Sequence, residues 1–438
     1  MKSKDLLFWI WLAEALGAGS TGFRILIELY ENPYELFHAE ESEIERIPKL
    51  SERVKAALCD KSLHRATQIL ECCEQSGIGI LAWGDEQYPS TLKDLQNPPV
   101  ILYWKGKLPD FAQHLSIGMV GTRRMSAYGM RAAYKIGYEL ATLGVTVVSG
   151  MAAGIDGVSG AAALAANGTT VAVLGCGIDV IYPRHHKNLY YEIAKRGLLL
   201  SEYPPGTRPN GYHFPVRNRI ISGLSQATVV VEAGVGSGAL ITAKEAILQG
   251  RDVFALPANV GSLGAEGTNG LLHDGARLAL SASDIIEPYQ FLYAQTLRYD
   301  RLAKARAHSD ADFAYLERMG VIELEHRELE QPSQKAPPTR EDTSPAAPKK
   351  RREKRQDDVP AQTTPKKTEQ ESKTPDEIIS SLPPIQLAIL QSIPDDRAIA
   401  TDALCALEYP YGEIIGALTM LEIMGLIQKL PGSMYKKS

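Results

Sequence analysis

Four times between residues 116 and 243 a short apolar run ends in a glycine-bearing turn that opens onto a helical pattern. The turns are Val120–Gly129, Ser149–Asp156, Gly175–Pro183 and Glu232–Ala243. A short run of β-branched and aliphatic residues suits a strand buried on both faces, and a strand re-entering the sheet in the same direction needs a helix to bring the chain back. This alternation restricts the central region to an α/β fold with a doubly wound parallel sheet. The expected strands are Val100–Trp104, Ser116–Val120, Val145–Ser149, Thr170–Leu174, Leu198–Ser201, Ala227–Val231 and Val253–Leu256, after a short apolar run at Ile78–Ala82. Helices are expected over Ala127–Leu143, Ile155–Ala166, Lys187–Arg196 and Gly238–Gln249.

At 438 residues the chain exceeds what one core fills, and its composition divides it. Residues 1–75 read as helical, with apolar positions at helical spacing in Leu6–Leu16, Phe23–Tyr30 and Val54–Leu58. Gly17, Gly19, Asn32 and Pro33 punctuate them, as in a small helix-hairpin-helix-like module. Glu40, Glu41, Glu43 and Glu45 would repel phosphate, so an interaction or spacer role is expected there. The sheet domain covers 78–292. Residues 293–377 read as a disordered linker, with many prolines and the basic run Lys349–Arg355. Within 378–438, helices at Ile385–Ile393, Thr401–Leu407 and Tyr411–Met424 precede a hairpin around Pro431-Gly432, which is winged-helix order. The third of these helices begins Tyr411–Leu418 without Arg or Lys and with Glu413, which favours a protein contact over groove reading.

Five cysteines (Cys59, Cys72, Cys73, Cys176, Cys405) form no Cys-x-x-Cys pair, and the histidines show no metal spacing beyond the adjacent His185 and His186. The expectation is a reduced, cytoplasmic protein with no metal and no cofactor. No membrane span is expected: the longest uncharged stretch, Gly157–Ile178, is broken by Asn167, Gly168, Thr169 and Thr170. The apolar run Leu6–Ala13 follows Lys2 and Lys4, but Asp5 and Glu14 bracket it, so it reads as a buried helix rather than a signal peptide. A net charge of −5 argues against a polycation that binds nucleic acid by bulk charge. Residues 101–290 nevertheless hold 16 basic and 13 acidic residues, a local balance of +3.

The turns suit anion binding. A helix N-terminus offers unpaired amides and the positive end of the helix dipole. In the first turn Gly121 permits close backbone approach, Thr122 and Ser126 offer hydroxyls with Ser126 as N-cap, and Arg123 adds a fork that matches phosphate, ahead of Gly129. The second turn brings Gly154, with Asp156 read as an N-cap. In the third, Lys187 opens a helix at the same sheet end, where it either reaches a phosphate or is simply solvated. Gly236, Ser237 and Gly238 form the helix entry of the fourth turn. Between these, Tyr212–Ser225 joins aromatics to Arg217, Asn218 and Arg219. Cations for a backbone beside a ring face for a base are what single-stranded nucleic acid requires, although Phe214 taken alone fits a core position equally well. A row of phosphate-sized turns along the carboxyl edge of one sheet suggests a polymer rather than one nucleotide.

Taken together, these motifs, with Tyr88–Leu92, Pro98–Gly106, Gly250–Pro257, Gly267–Asn269 and Asp274–Ala276, resemble the DNA-processing protein DprA (Smf) family. The resemblance implies an extended Rossmann-like domain, an N-terminal SAM/helix-hairpin-helix-like domain and a C-terminal winged-helix domain. It also implies a homodimer that is not an enzyme. Such a protein binds and protects incoming single-stranded DNA in natural transformation and loads the RecA recombinase for recombination. The family's phosphate-binding arginine falls on Arg123, its basic position after Tyr-Pro on Lys187, and its aromatic loop and Arg-Asn-Arg motif on Phe214 and Arg217–Arg219. The chain departs from the family pattern at Ala153, Gly160 and Gly236.

The rival reading is a nucleotide-processing enzyme of the phosphoribohydrolase type. That class needs a catalytic glutamate in its Pro-Gly-Gly-x-Gly-Thr-x-x-Glu loop, and Leu240 stands where the carboxylate would be. A dinucleotide-dependent oxidoreductase lacks its Gly-x-Gly-x-x-Gly fingerprint. A pure adaptor leaves Arg123, Lys187 and Arg217 unexplained.

Overall fold

The computed structural model describes residues 3–262, 264–322, 382–394, 399–400, 404, 407, 409, 411–423, 426–430 and 434–437. Helices α1 (Ser3–Leu16), α2 (Gly22–Leu29), α3 (Pro33–His38), α4 (Glu41–Glu45), α5 (Glu52–Cys59) and α6 (His64–Ser76) come first. Local signals fix their ends: Asn32 accepts the Glu35 amide at the start of α3, with Pro33 in its first turn, and Ser51 caps α5.

The central sheet follows. Its strands are β1 (Gly79–Ala82), β2 (Ile101–Gly106), β3 (Ser116–Val120), β4 (Thr146–Ser149), β5 (Thr170–Leu174), β6 (Leu198–Ser201), β7 (Ala227–Val230), β8 (Asp252–Ala255) and β9 (Arg277–Leu278). They lie in the order β1-β2-β6-β5-β4-β3-β7-β8-β9. Strands β3 to β9 pair in parallel, while β1 with β2 and β2 with β6 are antiparallel. The short helix α7 (Ser90–Lys93) precedes β2, and α8 (Ala127–Thr142), α9 (Ile155–Ala165), α10 (Lys187–Arg196), α11 (His213–Gly223), α12 (Gly238–Leu248) and α13 (Glu266–His273) connect the later strands. The chain leaves β3 in one direction through β4, β5 and β6, then returns to β3's other side with β7. The crevice between the carboxyl ends of β3 and β7 is therefore the topological switch point, where open α/β sheets take ligands.

Both faces of β3, β4, β5, β6 and β7 are buried, which explains their continuous apolar runs. The N-terminal helices are tied to this body through polar contacts: Arg24 donates to the carbonyls of Leu95 and Lys93, Asn97 to that of Gly19, and the Gly19 amide to Glu202.

Residues 302–307 and 313–318, expected within the linker, are helical instead. After α14 (Ala282–Ile286), helices α15 (Leu302–Ala307) and α16 (Phe313–Arg318) pack on the body, with Ala305 and Leu316 fully buried. The Ser309 hydroxyl donates to the buried Glu139 of α8. Sparse anchors among charged residues hide this segment in the sequence. The basic run Lys349–Arg355 lies outside the described residues, as do most of Thr401–Leu407. The C-terminal region contributes α17 (Pro384–Ser392), α18 (Tyr411–Ile423) and a three-stranded sheet of β10 (Ile399–Ala400), β12 (Met434–Lys437) and β11 (Ile427–Leu430). Gln386 of α17 donates to the Tyr212 hydroxyl at 3.1 Å, and Gly416 of α18 lies against the Tyr212 ring with no room for a Cβ.

His186, just before α10, is fully buried beneath α9, where a Cβ on Gly157 would strike its ring. Its Nδ1 lies 3.1 Å from the Met151 carbonyl and so carries the proton, while Nε2 has no partner. Burial, helped by His185, pushes its pKa down to about 4 from the ordinary 6.5. The unfolded chain then binds more protons between these two values, so stability present above pH 6.5 is lost as pH falls toward 4. At pH 5 the loss from this residue is about 2 kcal/mol. In urea melts, His186→Gln is expected to show a shallower fall in stability between pH 7 and pH 5 than the parent chain, and parallel curves would refute this.

Candidate nucleic-acid interface

A cleft of about 1970 Å³ opens at the switch point. The turn after β3, the turn after β7, the first residues of α11, and Tyr182 from the loop after β5 line it. Thr122 shapes the first wall: its amide donates to the Glu232 carbonyl at 2.7 Å, and its hydroxyl accepts the Arg124 amide at 3.2 Å. This tight turn leaves Arg123 and Arg124 exposed. Arg123 makes no ion pair among the described residues, and its guanidinium carbon stands 5.2 Å from the Phe214 ring centre. Phe214 in turn stacks on Tyr182, with ring centres 5.4 Å apart and planes 28° from parallel.

The helix N-termini divide into spent and open ones. At α8 the Ser126 hydroxyl accepts the Gly129 amide, and the Glu232 carboxylate accepts the Ser126 amide at 2.9 Å. Gly129 is needed because any Cβ would meet that carboxylate. At α9 the first amide, of Ile155, goes to the Thr122 carbonyl. Gly154 has φ +82°, and its missing Cβ lets the two turns touch; Gly121 likewise makes room for Ile155. The turn before α12 is the open one. Ser237 caps the Ala239 amide, Gly236 has φ +76°, and the amides of Gly236 and Gly238 have no partner among the described residues.

Several expected roles change. Asp156 lies inside the first turn of α9, not at its cap, and its buried carboxylate accepts the amides of Gly150 and Ala152. Burial raises its pKa, against the pull of Arg217 and those amides. Arg217, expected as a DNA contact, is only 4% exposed. It donates through Nη1 to the carbonyls of Gly150 and Val173 and through Nε to the Asn218 side chain, so these donors are committed to the fold, although the residue still lines the cleft. Arg219, also expected at DNA, is buried and paired with Glu202 at 2.6 Å, and Glu202 also accepts the Gly19 amide. Asn218 is buried too, though it lines the cleft and reaches the Gly238 carbonyl at 3.4 Å. Helical geometry turns this stretch inward, which local residue types do not reveal. Lys187 is exposed at the start of α10 without an ion pair among the described residues; it lies outside the cleft lining, beyond Tyr182 in the same connection.

Sequence reasoning passed over Glu232, Tyr128 and Tyr182. Tyr182 is the one with a usable local signal, an aromatic beside Pro183, Arg184 and His185 in a loop at the ligand edge. Tyr128 donates to the Pro257 carbonyl at 2.8 Å. Among the described residues no group of three or more His, Cys, Asp or Glu is placed to hold a metal ion. None of the described helices is long and apolar enough to cross a membrane.

A family model described as DNA recombination-mediator protein A matches residues 79–290. Protein Smf of Synechocystis is 32% identical over 446 residues, spanning 100% of both chains. The chain belongs to the DprA (Smf) family. DNA processing protein DprA of Bacillus subtilis is 40% identical over 240 residues, covering 54% of this chain and 81% of its own length. The X-ray structure of DprA from Streptococcus pneumoniae matches with a TM-score of 0.56 at 32% identity, over 64% of this chain and 97% of that one. The family's matched region, 79–290, coincides with the nine-stranded sheet and its helices, so the cleft lies in the part that defines the family.

The split between bracing and exposed cations is directly measurable. Removing one member of a buried charged cluster typically costs about 3–5 kcal/mol, while a surface change stays within about 0.5 kcal/mol. Arg217→Met is therefore expected to lower stability in urea titrations by the larger amount, and Arg123→Ala to leave it unchanged. Equal effects would show that Arg217 is not the brace.

Proposed function

We propose that this chain binds single-stranded DNA along the carboxyl edge of its sheet, protects it during natural transformation, and passes it to the RecA recombinase as a homodimer. The observation that carries the reading is Arg123. Its exposed guanidinium has no ion pair among the described residues and rests over an aromatic ring in the cleft at the switch point. It offers a fork to phosphate beside a pair of stacked aromatic rings, Phe214 and Tyr182, the combination that sequence-tolerant strand binding uses. Lys187, two strands along the same edge in the connection after β5, and the open amides of Gly236 and Gly238 after β7 extend the track beyond the length of one nucleotide. In this reading Gly121, Thr122, Ser126 and Gly154 shape the track.

The protein acts as a binder rather than a catalyst. Both acids that line the cleft, Asp156 and Glu232, are engaged by backbone amides, and Leu240 supplies no carboxylate. A mononucleotide phosphate at the start of α8 would also meet the Glu232 carboxylate.

In this reading a second copy seats at the β9 edge. Leu278 and Leu280, and Ile247 and Leu248 at the end of α12, are 51, 69, 59 and 67% exposed. Apolar side chains left this open at one sheet edge mark an association surface. The N-terminal helices fit a SAM/helix-hairpin-helix-like domain. The C-terminal elements fit a winged helix whose third helix touches protein, here the chain's own Tyr212.

Arg123→Ala combined with Lys187→Ala is expected to weaken oligo-dT binding by at least about 100-fold, since each contact to a charged group contributes about 1.5–3 kcal/mol. Fluorescence anisotropy at fixed salt reads this, with the melting temperature unchanged. Parent binding should fall with rising salt and favour single strands over duplex. Undiminished affinity in the double variant would remove the assignment. Leu278→Glu with Leu280→Glu is expected to turn a sedimenting dimer into a monomer, and a dimer that persists would place the contact elsewhere.

A further inference from the structure

Phe214 is the aromatic that sequence reasoning places against a base, yet in the folded chain its ring is already engaged. Arg123 lies over it at 5.2 Å, Tyr182 stacks on it at 5.4 Å, and a Cβ on Gly175 would press against its edge. A base that used Phe214 would first have to displace one of these neighbours. Tyr182 differs. It is 37% exposed, lines the cleft, and its hydroxyl has no hydrogen-bond partner among the described residues.

The loop that carries Tyr182 is held firmly. The Val180 amide donates to the Gly177 carbonyl, the Cys176 thiol to the Val180 carbonyl, and the His186 amide to the Pro183 carbonyl. Asp179 accepts the Gly206 amide from the neighbouring connection. An aromatic side chain held by its backbone and backed by a second ring loses little freedom when a third ring stacks on it. Lys187 follows five residues later, so the same connection presents a ring and then a cation.

We propose that Tyr182 is the base-stacking ring of this cleft, with Phe214 as its backing and Arg123, which also contacts the Phe214 ring, as the phosphate-pairing group. The inference rests on the single-stranded-DNA reading and adds which ring meets the base. A base stacks on the tyrosine face without hydrogen-bond readout, so recognition is tolerant of sequence.

The test compares two probes: oligo-dT, and an oligomer of the same length with tetrahydrofuran abasic sites, which keeps the phosphates and lacks the bases. Tyr182→Ala is expected to weaken oligo-dT binding about 5- to 150-fold, the range for losing one stacked base. It should leave the affinity for the abasic oligomer unchanged. Tyr182→Phe and Tyr182→Trp should bind oligo-dT within about twofold of the parent, because both keep a π face. Tyr182→Leu, which keeps apolar bulk without that face, should behave as the alanine variant and serves if that variant does not fold. With 2-aminopurine in the strand, quenching on binding should depend on the ring at 182.

Unchanged oligo-dT affinity in the alanine and leucine variants overturns the proposal. So does an equal loss on both probes, which would make Tyr182 a support for the loop alone. If the parent chain fails to bind oligo-dT, or Arg123→Ala with Lys187→Ala costs it nothing, the underlying strand-binding reading fails instead.

Discussion

Arg217 reaches from α11 across the carboxyl ends of two parallel strands, donating to the Gly150 carbonyl just after β4 and to the Val173 carbonyl in β5. Asp156, on α9, supplies the opposing charge and ties itself to the Gly150 amide. One buried cation thus fixes three things together: the turn after β4, the end of β5, and the first turn of α11, where Phe214 stands. A guanidinium suits this place because its planar fork meets several carbonyls at once. Its burial is tolerable because Nε and Nη1 are met by hydrogen bonds and a carboxylate is close. The exposed groups that face solvent, Arg123 and Tyr182, are arranged on top of that brace.

The sheet is legible in the sequence because strands buried on both faces leave no polar alternation to interpret; they are short apolar runs with glycine at the end. β3, β5 and α10 fall where those runs and turns put them. The antiparallel joining of β1 and β2 to β6 is not legible, since pairing partners more than ninety residues apart leave no local mark. The short β9, with both residues exposed, has no apolar signature at all. The helices between 299 and 318 are hidden for a related reason, their hold on the body resting on a few buried side chains such as Leu316.

For the cleft, residue type predicts chemistry and burial decides who performs it. Arg123 and Arg217 look alike as residues beside a turn. One follows a strand on a loop that the Thr122 hydroxyl bends outward, and the other faces inward from a helix packed on the sheet. The same helical period buries Arg219 against Glu202, where it serves the joint with the N-terminal helices. Glu232 shows the reverse case. A carboxylate in an anion-binding edge looks misplaced until its partner is seen to be the Ser126 amide, which consumes the dipole end that a lone phosphate would seek.

The two margins of the sheet are unlike. At one, the antiparallel pair β1 and β2 closes off β6, and α6 packs against β1. At the other, β9 has two residues, both exposed, with backbone groups free for a neighbour on its outer side. A pairing of β9 with β9 would use the same margin of each copy and so would close on itself as a pair rather than extend.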